Sequence, residues 1–250
     1  MIRMPLRITT LAERPEFAAT LWDMDHAWAG FMMNDPVADF FYPAATRTFA
    51  DFVLVADDEA EPGRLVARGC MIPYPSKDDP LPDGGWDTVI RRGRIARDSA
   101  AGTDRVSALE ITVRRDRLGS GVSPLMVAAM REHAARLGFS ELVAPVRPNQ
   151  KHLEPHTPME EYAFRTRPDG LPHDAWLRVH VRAGGKIVRV ASRSMVIAGS
   201  LAEWRAWTGL PFDRSGPVEV PGALTPVHCD VAHDHAVYVE PNVWVSHPLA

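Results

Sequence analysis

The sequence predicts a mixed α/β fold in one domain, and three observations carry that reading. A short β-branched run, Leu109 to Val113, feeds a Gly119-Ser120-Gly121 turn and then an amphipathic segment ending at Gly138. A second strand-like run, Glu141 to Val146, follows that helix directly. Phe49 to Ala56 and Leu65 to Ile72 read as an antiparallel pair joined around Glu61-Pro62-Gly63. The chain has 250 residues, enough to bury one large core, and no flexible linker divides it, so residues 1–250 are taken as one domain.

Taken in order, Leu6 to Thr9 reads as a first strand. From Pro15 to Met33, the residues Phe17, Leu21, Met24, Trp28 and Phe31 recur at helical spacing and predict one continuous helix, ended by Asn34-Asp35-Pro36. Val37 to Tyr42 predicts a short second helix stopped by Pro43. After the strand pair comes a Pro/Asp/Gly-rich insert, residues 73–86, which is either a lid or a surface loop. Asp87 then caps a helix to about Ala96. In the glycine-turn helix, Ser123 is placed as N-cap, Pro124 at the first helical position and Gly138 as the C-terminal stop. Further on, Thr157 and Glu160 form a capping-box pattern for a helix through Phe164, and Asp174 to Arg182 reads as another. Lys186 to Val190 and Ser194 to Ala198 read as strands. Leu201 to Thr208 is a helix between Ser200 and Gly209, and Val218 to Val220 and Val237 to Val239 close the series.

Composition excludes several classes. Net charge is −4 and no basic run exists, so the electrostatic footprint of a nucleic-acid binder is missing. No stretch approaches the ~20 apolar residues of a membrane span, and the N-terminus lacks the apolar core of a secretion signal. Two cysteines, Cys70 and Cys229, are too few for a disulfide framework, and a cytoplasmic setting is expected. G-x-S-x-G is absent, as are the third glycine of a dinucleotide fingerprint and the G-K-[ST] of a P-loop.

The strand–glycine–helix unit carries the chemistry. A helix start leaves backbone N–H groups unpaired at the positive end of its dipole, which makes an anion site. Glycines let backbone approach a ligand with no Cβ in the way. The unit therefore points to a bound phosphate, although an ordinary tight β–α turn would look the same.

The spacing from Val113 through five residues to Gly119 and Gly121, with Ser123 following, resembles motif A of the Gcn5-related N-acetyltransferases. The Arg147-Pro148-Asn149 end of the next strand extends the likeness, and the runs APVRPNQK, WLRVHVRAGGKIVRV and EPNVW are similar to a bacterial acetyltransferase-like group with a long C-terminal half. The resemblance implies a mixed, mostly antiparallel twisted sheet flanked by helices on both faces. It implies acetyl-CoA, or another acyl-CoA, as co-substrate, with Leu118, Gly119, Ser120, Gly121, Val122 and Ser123 as its binding loop and pyrophosphate on the amides of Gly119 to Ser123. It also implies pantetheine contacts from Ile111, Val113 and Asn149. Leu118 stands where the family carries Arg or Gln, which removes one side-chain contact to phosphate. The expected activity is transfer of an acetyl group to a small-molecule amine.

An aliphatic amine near pKa ~10.4 is neutral in only a few molecules per ~10⁴ at pH 7, so a general base is useful. Glu110 is the candidate: family members often carry a Glu on this strand, and a carboxylate inside an apolar run is costly to bury unless paired or functional. The alternative is a structural ion pair with one of the many arginines. Tyr162 is the candidate general acid for the leaving thiolate, by resemblance to the family's Tyr, although its distance from Asn149 implies an insertion; a core tyrosine is the alternative. His152 and His156 lie in that insertion and are weaker candidates. The cluster from His228 to His235 matches no common zinc spacing and reads as a solvated turn, so no metal is expected. A homodimer is left open. So are two other functions: a non-catalytic acyl-CoA-binding module, and the same fold acting on an O-acceptor or a carrier-protein thioester.

Overall fold

The computed structural model describes residues 6–25, 28–61, 63–76 and 81–249. In chain order the elements are β1 (Leu6–Thr10), α1 (Tyr42–Thr48), β2 (Val53–Asp58), β3 (Leu65–Tyr74), α2 (Gly85–Asp98), β4 (Arg105–Val113), α3 (Val122–Arg136) and β5 (Glu141–Val146). There follow α4 (Met159–Ala163), α5 (Ala175–Arg182), β6 (Lys186–Gly199), α6 (Leu201–Thr208), β7 (Gly216–Val218), β8 (Val227–Asp230) and β9 (His235–Pro248). The strands form one mixed sheet in the order β1-β2-β3-β4-β5-β9-β8-β7, with β6 also paired to β9. Every pairing is antiparallel except β4 with β5. The expected mixed, mostly antiparallel sheet is therefore present.

Alternation along the strands sends side chains to two cores. Val53, Val55, Cys70, Ile72, Tyr74 and Trp244 pack with α2 and α6 on one face. Leu54, Ala56, Ala67, Met71, Val243 and Val245 pack with α3, α4 and α5 on the other. Helices thus cover both faces.

Local signals held where partners are close in sequence. Ser200 and Glu203 form a reciprocal capping box, and Gly209 ends α6 at φ +72°. The Gly138 and Phe139 amides donate to the Ala135 and Ala134 carbonyls, a Schellman ending for α3. Asp174 caps α5 by accepting from the Trp176 and Leu177 amides.

Other expectations are corrected. Residues 15–33 do not form one helix. They make separate 3-10 turns at Pro15–Ala19, Leu21–Asp23 and Gly30–Asn34, with Met24 extended; residues 26 and 27 lie outside the described residues. In a continuous α-helix the Leu21 carbonyl would accept from residue 25, but here it accepts from Arg68 Nη1 at 2.8 Å. The apolar spacing still predicted burial, since Phe17, Leu21, Met24 and Phe31 are all in the core. Pro43 opens α1 instead of stopping a helix, because its missing N–H costs nothing in a first turn. Gly84, not Asp87, is the N-cap of α2. Gly121, not Ser123, is the N-cap of α3. Thr157 does not cap α4; Pro158 holds that position, and the Thr157 hydroxyl donates to Glu154 at 3.1 Å. The two strands expected over residues 186–198 are one bent strand, β6, with register shifts at 187–189 and 191–195. Residues 228–230 belong to β8, and only 231–234 form the turn of that hairpin. The middle of the 73–86 insert lies outside the described residues. Its end is pinned where the Trp244 indole donates to the Pro82 carbonyl at 3.0 Å.

Candidate active site

Two irregularities of the sheet create the site. β4 and β5 pair only at Val106–Leu142 and Ser107–Val143, and then separate. On its other edge β4 carries an extra residue: Cys70 pairs with Glu110 and Met71 with Ala108, leaving Leu109 as a bulge. The Trp86 indole donates to the Leu109 carbonyl at 3.2 Å.

A cavity of about 950 Å³ occupies the opening. Ala108 through Val113 line one side of it, and Ala144, Pro145, Val146, Arg147 and Asn149 line the other. Its walls include residues from both cores, so it passes through the sheet between the parted strands. On the α3 face lie Leu118, Ser123, Trp176 and His180. On the α2 face lie Trp22, Trp28, Asp39, Tyr42 and Trp86.

At the α3 mouth, Gly119 and Gly121 have φ of +73° and +88°, a region costly to L side chains, and a Cβ on either would meet nothing within 4 Å. Gly121 offers no side chain to cap the first turn of α3, so the helix amides there have no side-chain acceptor at the cap. Such a cradle fits a phosphate. The Val122 side chain is buried in the core. Leu118 is 59% exposed at the rim.

Glu110 sits at the bulge inside a buried network. Arg68 reaches its Oε1 from Nε at 2.9 Å and from Nη2 at 2.8 Å. The Tyr42 hydroxyl donates to Oε2 at 2.7 Å, and the Thr112 hydroxyl donates to Oε1. Arg68 also lies over the Trp22 ring at 4.8 Å, and Trp22 meets Tyr42 edge-on at 5.2 Å. Burial, and next the Glu110 charge, push the Tyr42 phenol well above its usual range. The alternative reading of Glu110, an ion pair with an arginine, is thus present, and the pair lies within the cavity wall. A second buried pair, Arg147 with Glu240 at 2.9 Å, lines the far side and is completed by Tyr238 and Asn242.

Of the residues chosen from sequence, Glu110, Ile111, Val113, Leu118, Ser123, Asn149 and His152 line the cavity. Gly119 to Gly121 form the adjoining loop and Val122 opens α3, but the Leu118 and Ser120 amides already donate to the Arg115 and Arg117 carbonyls at 3.2 and 3.3 Å. Tyr162 does not line it. Its hydroxyl donates to Asp174 at 2.9 Å within the α4–α5 packing, and burial raises its pKa. His156 is exposed and paired with Glu219. Sequence reasoning missed Tyr42, Arg68, Trp86, Trp176 and His180. The first three lie 68, 42 and 23 residues from the β4 residues they hold, beyond any local pattern. Among the described residues no group of three or more His, Cys, Asp or Glu is placed to hold a metal ion, and no helix is long and apolar enough to cross a membrane.

The parted strands and the glycine cradle suit an acyl-CoA-dependent acyltransferase, and comparison with known proteins agrees. No family model matches the chain. It is 34% identical over 97% of its length to the arginine N-acetyltransferase avaD of Aspergillus versicolor, covering 93% of that protein. The chain therefore belongs to the Gcn5-related N-acetyltransferases and is an N-acetyltransferase. That relative is fungal, whereas the likeness read from the sequence was to a bacterial group. In fold, the chain is similar to the loading GNATL domain of CurA from Lyngbya majuscula (TM-score 0.59, 14% identity, 98% of both chains). It is also similar to the GphF GNAT-like decarboxylase, solved with isobutyryl-CoA (TM-score 0.51, 13% identity, 98% of this chain and 99% of that one).

Proposed function

We propose that this protein transfers acetyl from acetyl-CoA to a nitrogen of a small cationic acceptor of the arginine type. The observation that carries this is the cavity through the sheet, with a phosphate cradle at one mouth and the Glu110–Tyr42 network at the other. In this reading the amides of Gly119, Gly121, Val122 and Ser123 hold the pyrophosphate, since the Ser120 amide already donates to the Arg117 carbonyl at 3.3 Å, and the arm lies along Ile111, Val113 and Asn149. The acceptor enters past Trp28, Asp39 and Tyr42. Asp39 is an exposed carboxylate at that mouth, suited to a cation, and the aromatic walls suit it as well. Glu110 takes the acceptor's proton through the Tyr42 hydroxyl, since its own oxygens are held by Arg68, Tyr42 and Thr112.

Holding both reactants in line contributes roughly 7–11 kcal/mol in well-oriented systems, so positioning carries much of the rate. The test is free-thiol release from acetyl-CoA across arginine, arginine derivatives and simple amines, with products identified by mass. Arginine-type acceptors should outrun neutral amines. Binding of acetyl-CoA with no thiol release from any acceptor would overturn the reading.

A further inference from the structure

One cavity feature has no part in the scheme above. His180 of α5 lines the α3 face of the cavity and is 4% exposed; His247 of β9 lies behind it at 0%. His180 Nδ1 and His247 Nε2 are 3.0 Å apart. The other nitrogen of His247, Nδ1, is buried without a partner. Gly185 makes room for this pair: a Cβ there would lie 2.6 Å from His247 Cε1 and 2.8 Å from the His180 carbonyl. Trp176 packs edge-on against His180 at 4.6 Å.

Hydrogen-bond accounting fixes the protons. One nitrogen of the close pair must carry hydrogen and the other must accept. If His180 donated, His247 would hold its own proton on Nδ1, a buried N–H with no acceptor, which proteins avoid. If His247 donates from Nε2, its Nδ1 carries only a lone pair, and no buried N–H is stranded. His180 then carries its proton on Nε2, the polar atom left to meet a ligand in the cavity. Burial lowers both groups, to about 3 for His180 and about 4 for His247, so the pair stays neutral in the physiological range.

The pair also has a definite depth. His247 is opposite Leu142, and Leu142 is opposite Val106, where β4 and β5 are still joined. The phosphate loop lies past Val113, at the open end. A thioester whose phosphates sit on that loop and whose arm runs along the split brings its reacting end to the closed end, beside Ala108–Glu110 and His180.

We propose that His180 Nε2–H is a hydrogen-bond donor to the thioester sulfur of the acyl-CoA, with His247 as the positioning residue that fixes its tautomer. This rests on the acetyltransferase reading. In the reaction the acceptor nitrogen forms the new N–C bond, the C–S bond breaks, and its electron pair goes to sulfur. A neutral imidazole does not give up its proton. It holds charge on sulfur until the proton lost by the acceptor nitrogen reaches it, so free thiol and amide leave in balance.

The test compares wild type with His180→Phe and His180→Gln, the second keeping an N–H donor. His180→Phe should lower kcat by about 10- to 100-fold, the range of one hydrogen bond to a charged atom, with the acetyl-CoA dissociation constant nearly unchanged. His180→Gln should recover part of the loss. The thiol of bound CoA, titrated by its ultraviolet thiolate absorbance, should ionise about one unit higher in His180→Phe than in wild type. Imidazole ¹⁵N resonances of the wild-type protein should show His180 protonated at Nε2 throughout about pH 6 to 8. A His180→Phe enzyme with wild-type kcat and thiol titration overturns this proposal alone, as does the opposite tautomer. A protein that binds CoA but acetylates nothing overturns the acetyltransferase reading, and the thiol titration and the tautomer still decide His180. A protein that does not bind CoA overturns both.

Discussion

Glu110→Gln is the obvious test of the base, and its consequences reach beyond rate. The side chains of Arg68 and Glu110 are 6% and 2% exposed, and the charges neutralise each other inside the sheet. Removing one charge leaves a buried guanidinium without its counter-ion, which in comparable buried pairs costs about 3–5 kcal/mol. For a chain of this size about 1 kcal/mol shifts Tm by ~2–4 °C, so Glu110→Gln should melt about 6–20 °C lower. Replacing both partners, Arg68→Met with Glu110→Gln, removes the stranded charge and should recover most of that loss. Activity should fall in both. The assay is thermal unfolding of the wild type, both single variants and the double variant, beside kcat measured well below each Tm. A Glu110→Gln variant within about 2 °C of wild type would refute the energetic argument, and one with wild-type kcat would refute the role of Glu110.

Three other outcomes follow from separate parts of the molecule. Burial pushes Asp35 up to about 6 and, with Asp35 as second cause, Asp87 up to about 8. Because both folded values exceed the unfolded one, the native state binds the extra protons, and stability should fall as pH rises from about 4 to about 8. Asp87→Asn should flatten that slope in melting curves taken across this range, and an unchanged slope would disprove the assignment. Gly93→Ala gains about 1 kcal/mol of helix propensity, but its Cβ would lie 2.6 Å from Ile72 Cδ1 and 2.7 Å from the Pro73 carbonyl. The overpacking should win, lowering Tm by a few degrees, about 1–2 kcal/mol net. Gly121→Glu meets open space but takes an L side chain to φ +88°, so it should cost about 1–2 kcal/mol of stability. It should also abolish CoA binding by calorimetry while the fold is kept; retained binding would place the phosphate elsewhere.

How much was legible in the sequence depended on the reach of each interaction. Ser200 with Glu203, Asp174 on its own helix, and the Schellman ending at Gly138 involve partners within five residues, and all were readable or nearly so. The glycine turn was readable because positive φ and a missing Cβ leave a mark on composition. The N-terminal segment was misread because its apolar spacing reports burial, while its helix type was decided by Arg68, 47 residues from the Leu21 carbonyl it takes. The active-site wall was half legible. Glu110 stood out as a carboxylate in an apolar strand, but its partners Tyr42 and Arg68 came from distant elements. Tyr162 drew attention as a phenol in the expected stretch, yet the insertion carries it into the α4–α5 packing. His180 lines the cavity where Tyr162 does not, and its meaning depends on His247, 67 positions away.

The parting of β4 from β5 has a kinetic corollary. If donor and acceptor reach the reaction point from opposite faces of one sheet, neither occupant blocks the other's way in or out. Both must be resident together for transfer, so initial-rate plots should intersect and show no parallel, double-displacement pattern. Free CoA should compete with acetyl-CoA and leave the acceptor's mouth open, and an acceptor analogue should do the reverse. The order of arrival would then be set by concentration, and the enzyme could idle with either half of its site filled.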